Sequence, residues 1–91
     1  MKPLTDVEAM SVVKESIEQI IPDVDFALVE PDDTLRDVLE LDSLDFLGLV
    51  ELLSERTGIR IDEEDYPELT TLSDATRFLV HRSKDGTGPA R

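Results

Sequence analysis

The sequence predicts an all-α protein, a small four-helix bundle of three main helices and one short helix, with a long first loop. Three observations lead there. The apolar residues recur at three- and four-residue steps in three separate stretches, no stretch alternates as a half-buried strand would, and no internal repeat is present. Aromatics are 4% of the chain and Trp is absent, so the core is aliphatic. At 91 residues there is surface enough to bury one core and too little for a second. Residues 1–82 are therefore read as a single domain, and the glycine- and proline-rich end, residues 83–91, as a flexible tail.

The first helix is announced by Thr5 and Glu8, which have the spacing of a capping box. Val7, Met10, Val13, Ile17, Ile20 and Ile21 then form its apolar stripe, and Pro22 ends it, because the residue before a proline is pushed out of the helical region. From Pro22 to Leu41 the composition is that of a connection. Leu28, Leu35, Val38, Leu39 and Leu41 nevertheless need burial, and a turn around Thr34–Leu39, capped by Asp32 or Asp33, would dock them on the bundle.

The second main helix starts at Asp42 or Ser43 and runs to about Arg56, with Gly58 as its stop. Phe46, Leu49, Val50 and Leu53 make its core-facing stripe and leave Leu44 and Leu47 on a flank. Asp62–Tyr66 suits one turn before Pro67. Thr70, Thr71 or Ser73 then caps a last helix to about Arg82, with Leu72, Ala75, Phe78 and Leu79 turned inward.

Charge and composition exclude several functions. A formal net charge of -13 argues against nucleic acid or an anionic membrane as partner and in favour of basic protein surfaces. With no Cys there is no disulfide, thiolate metal site or cysteine nucleophile. No apolar run approaches a membrane span and the N-terminus lacks a signal-peptide core, so a cytoplasmic monomer that does not insert into membranes is expected. The acidic pairs match no EF-hand loop and read as solvated faces that attract cations weakly. His81 is the only histidine and no Gly-x-Ser-x-Gly elbow surrounds Ser43, so a catalytic triad is not supported and no catalytic residue is assigned.

What remains is the octapeptide Glu40–Leu47, ELDSLDFL, in which a serine stands between two aspartates at the head of a helix. Asp42 or Ser43 can cap that helix and Asp45 suits its positive end. A serine at a cap also lies outside the core, where an enzyme can reach its hydroxyl.

The run LELDSLDFLGLVELLSERTGIRI, followed by IRIDEED and LTTLSDATRFLV, resembles the acyl carrier protein family over about residues 5 to 82. The resemblance implies that Ser43 carries 4'-phosphopantetheine, derived from coenzyme A, with Asp42 and Leu44 as its motif neighbours. It further implies that Asp45, Leu47, Glu51 and Glu55 meet partner enzymes: a phosphopantetheinyl transferase, then an acyl-loading ligase or synthases with basic docking surfaces. The expected function is to hold acyl intermediates as thioesters for fatty-acid, polyketide or related specialised biosynthesis, without being an enzyme. A peptidyl or aminoacyl carrier, or an unmodified acidic interaction module, are the alternatives. The missing cysteine fits, since the thiol must then come from a prosthetic group. Two residues depart from the family's pattern: Glu40, where many members have glycine, and Gly48, where an acidic residue is frequent.

Overall fold

In the computed structural model, which describes residues 4–85, every regular element is helical. The main helices are α1 (Asp6–Ile20), α3 (Ser43–Thr57) and α4 (Leu72–Asp85); α2 (Leu35–Val38) is a single turn. Two 3-10 helices complete the chain, Phe26–Leu28 in the first loop and Glu63–Leu69 between α3 and α4.

The capping box of α1 forms as its spacing requires, with the Thr5 hydroxyl accepting from the Glu8 N–H at 3.1 Å and the Glu8 carboxylate from the Thr5 N–H at 3.0 Å. The helix buries Ala9, Val13, Ser16 and Ile17 against both α3 and α4. Its direction is antiparallel to each. Near one end Leu4 N–H reaches Ser83 Oγ of α4 and farther along Met10 Sδ accepts from Thr76 Oγ1 of α4, while on α3 Glu15 pairs with Arg56 and Ile20 lies beside Gly48.

Val7, expected on the buried stripe, is 79% exposed. Successive three-residue steps each fall about 60° short of a full turn, so Val7 and Met10 walk off the line through Val13. Ala9, four residues before Val13, takes the core position.

The long first loop is held by backbone pairing with the start of α4. Leu35 N–H bonds Thr70 O at 2.8 Å and Ser73 N–H bonds Pro31 O at 3.1 Å. These contacts correct the expected cap of the short helix. Thr34 stands at its N-cap without a side-chain bond, and the Asp33 carboxylate instead accepts from Glu30 N–H. A remote carbonyl takes the N–H of Leu35, so the aspartates are not needed there.

Leu28 is a second correction: it is 73% exposed, and its neighbour Val29 is buried. Val29 has extended backbone, in which adjacent side chains point to opposite faces, so one of the pair must face water. Val38 is also left partly open, at 37% exposure, since one turn of helix buries only Leu35.

On α3 the expected stripe is buried as read: Phe46, Leu49, Val50 and Leu53. Gly58 closes the helix in the left-handed region at φ 74°. The second 3-10 helix runs through Pro67 rather than stopping before it. Proline's fixed φ suits the tighter helix, and only its missing N–H is lost. This segment is clamped to α4 by a 2.7 Å ion pair between Asp65, buried, and Arg82, whose guanidinium also lies over the Phe78 ring. Thr71 caps α4 through Asp74 N–H. The helix continues past the expected end at Arg82 to Asp85, so residues 83–85 belong to it. The rest of the expected tail, 86–91, lies outside the described residues.

Candidate functional site

The site is built from the end of α2 inward. Leu41 N–H bonds Arg36 O at 2.9 Å and Glu40 N–H bonds Asp37 O at 3.3 Å, the paired closure of a Schellman motif. The residue between the helix and that closure must be left-handed. Here it is Glu40, at φ 54°, the sole non-glycine described with positive φ. Leu41 then turns into the core, and Asp42 stands at the N-cap of α3.

Both residues at the start of α3 could cap by type, and the geometry chooses Asp42. Its carboxylate accepts from Asp45 N–H at 2.8 Å, and the Asp45 carboxylate accepts from Asp42 N–H at 3.3 Å. Ser43 is thus the first residue inside the helix rather than its cap. It is exposed, and among the described residues no hydrogen bond engages its hydroxyl.

Two buried anchors hold this exposed serine: Leu41 two residues before and Phe46 three residues after, at 7% exposure each. Phe46 packs edge-on against Tyr66 of the second 3-10 helix, with ring centroids 5.4 Å apart. The hydroxyl therefore sits at a stable point of the fold, free of structural duty. A small, unpartnered, solvent-facing nucleophile fixed in this way suits covalent attachment of a group by another enzyme.

The other candidate residues share the exposed side of α3. Leu44 is 77% exposed and Leu47 40%, so the flank left over from the core stripe is open to solvent. Glu51 and Glu55 are exposed, and Asp45 is half-buried because it is drawn into the cap. Gly48 points elsewhere: a Cβ there would lie 3.8 Å from Ile20 Cδ1, at the crossing of α3 and α1. Sequence reasoning did not single out Arg36, whose guanidinium carbon lies 5.6 Å from the centre of the Phe46 ring. No local pattern reports that contact, because it joins the end of α2 to the first turn of α3.

Among the described residues no helix is long and apolar enough to cross a membrane.

Comparison with known proteins places the chain in a family. Residues 11–79 match the family described as a phosphopantetheine attachment site. An acyl carrier protein of Solidesulfovibrio magneticus is 37% identical over 70 residues, covering 74% of this chain and 90% of its own. One from Rubrobacter xylanophilus is 34% identical over 71 residues, 75% of this chain and 88% of its own. Among solved structures, that of a candidate acyl carrier protein from Anaplasma phagocytophilum superposes with a TM-score of 0.78 at 28% identity, over 91% of this chain and 97% of the other. The chain belongs to the acyl carrier protein family, as a carrier rather than an enzyme, with 4'-phosphopantetheine as its covalently attached prosthetic group.

Proposed function

We propose that Ser43 is the attachment point of the 4'-phosphopantetheine arm, and that the loaded carrier presents acyl groups to the enzymes of a fatty-acid, polyketide or related specialised pathway. The observation that carries this is the free Ser43 hydroxyl, exposed on the first turn of α3 while Asp42 and Asp45 cap the helix between them. In the attachment step Ser43 Oγ forms a new bond to phosphorus as the anhydride bond of coenzyme A breaks. Adenosine 3',5'-bisphosphate leaves with the bonding pair, and the hydroxyl proton passes to the transferase or to water. The arm supplies the thiol that this cysteine-free chain lacks and carries acyl groups on it as thioesters.

The chain's own part is display and docking. Leu44 and Leu47 offer apolar area next to Ser43, and Glu51 and Glu55 lie farther along the same helix. Basic surfaces on the transferase, on a loading ligase and on synthases would meet this face, with association speeded by opposite charge and weakened by salt. Asp45 contributes charge but is tied into the cap, so Glu51 and Glu55 are the freer acidic contacts. Tethering the cargo raises its effective concentration at each successive active site.

The test is intact mass after incubation with a promiscuous phosphopantetheinyl transferase and coenzyme A. The wild type should gain one arm and Ser43→Ala none. A wild type that gains no mass would leave an unmodified acidic interaction module as the reading. Loading the modified protein with candidate fatty-acyl, aminoacyl and polyketide-type ligases then distinguishes the kinds of cargo.

A further inference from the structure

Acidic residues outnumber Lys and Arg by 22 to 9 in this chain, so any arginine should find a carboxylate easily. Those of the described residues do, with one exception. Arg56 pairs with Glu15 at 3.0 Å, Arg60 with Asp62 at 3.1 Å, Arg77 with Asp74 at 3.4 Å and Arg82 with Asp65 at 2.7 Å. Arg36 has no carboxylate within ion-pair distance among the described residues, although Asp33, Asp37 and Glu40 stand close to it in sequence.

Its guanidinium is instead held against the Phe46 ring at 5.6 Å from the centroid. Its backbone carbonyl accepts from Leu41 N–H at 2.9 Å. Arg36 is thus connected to the motif on both sides of Ser43, by main chain two residues before it and by side chain three residues after. Residues three apart on a helix have Cβ atoms about 5–6 Å apart, so the 5.6 Å contact with the Phe46 ring keeps the guanidinium within roughly 14 Å of Ser43 Cβ. That is within the combined reach of a phosphate on Ser43 Oγ and a flexible, exposed arginine.

We propose that Arg36 is a positioning residue for the arm: it pairs with the phosphodiester once the arm is attached to Ser43. The proposal rests on the attachment reading above. A phosphate at Ser43 enters a neighbourhood that already holds Asp37, Glu40, Asp42 and Asp45. Arg36 is the cation placed to offset it, and a planar guanidinium matches two phosphate oxygens at once. The ion pair would fix the base of the arm on the α2 side of the helix end, leaving Leu44 and Leu47 open for docking enzymes.

The test is a thermodynamic cycle in which arm attachment is one change and Arg36→Gln the other. Wild type and Arg36→Gln are each converted with transferase and coenzyme A, conversion is verified by intact mass, and melting temperatures are compared before and after at low salt. Attachment should lower the melting temperature of Arg36→Gln by about 3 °C more than that of the wild type. Arg36→Lys should restore part of the difference, and high salt should shrink it. The side-chain Nε–H resonance of Arg36 should shift on attachment in the wild type.

An unchanged Nε–H resonance together with an equal effect of the arm in wild type and Arg36→Gln, with both fully converted, overturns the role of Arg36 and leaves the attachment site standing. A wild type that takes no arm overturns the attachment reading, and this proposal with it.

Discussion

Replacing Glu40 with glycine should stabilise the fold. An L-residue in the left-handed region costs about 1–2 kcal/mol through the clash of its Cβ with the following carbonyl. Glu40 is held there, at φ 54°, by the Schellman closure of Leu41 onto Arg36 and of Glu40 onto Asp37. Glycine removes that clash but loses about 0.5–1 kcal/mol more backbone entropy on folding than a residue with a Cβ. The net gain is about 0.5–1 kcal/mol, which in a domain of this size raises the melting temperature by roughly 2–8 °C. Charge is a competing explanation, because the substitution also removes one carboxylate near Asp37, Asp42 and Asp45. Glu40→Gln separates the two, since it removes the charge and keeps the Cβ. Urea unfolding at low and high salt is the assay: a backbone gain persists at high salt and is missing from Glu40→Gln, and Glu40→Asn falls between because asparagine tolerates this region better. If Glu40→Gln gains as much as Glu40→Gly, or if Glu40→Gly gains nothing, the assignment of strain to this residue is wrong.

Gly48→Ala should also stabilise, by up to about 1 kcal/mol from helix propensity, because the added methyl meets Ile20 Cδ1 at an ordinary 3.8 Å contact; circular-dichroism melting will show whether the sign is right. Ser16 is fully buried on α1 with no partner for its hydroxyl among the described residues, so Ser16→Ala should gain about 1 kcal/mol in urea unfolding by removing an unsatisfied polar group. Arg82→Gln should cost about 2 kcal/mol, because it strips the buried Asp65 of its 2.7 Å partner, and hydrogen exchange should show the 63–69 segment opening before the rest of the bundle.

Much of the candidate site could be read along the chain because its determinants are local. The stripe of Phe46, Leu49, Val50 and Leu53 leaves Leu44 and Leu47 outward by helical period alone, and both are exposed. Gly58 could be named as the stop of α3 because few other residues enter the left-handed region cheaply, and it does so at φ 74°. The choice between Asp42 and Ser43 as cap could not be made this way. Aspartate and serine cap about equally well, and only the folded chain shows that it is Asp42 whose carboxylate takes the Asp45 N–H.

The amino-acid sequence by itself determined an all-helical chain, the extent of α3, an exposed serine at its head and an acidic flank beside it, since each follows from period, capping chemistry or residue type within a few positions. Tertiary structure alone decided the rest. Val29 rather than Leu28 is buried, Thr70 O rather than Asp33 takes the first N–H of α2, and Arg36 rests on Phe46 instead of a neighbouring carboxylate. These outcomes join segments distant in sequence, and they are set by which backbone groups and ring faces the packed helices leave within reach.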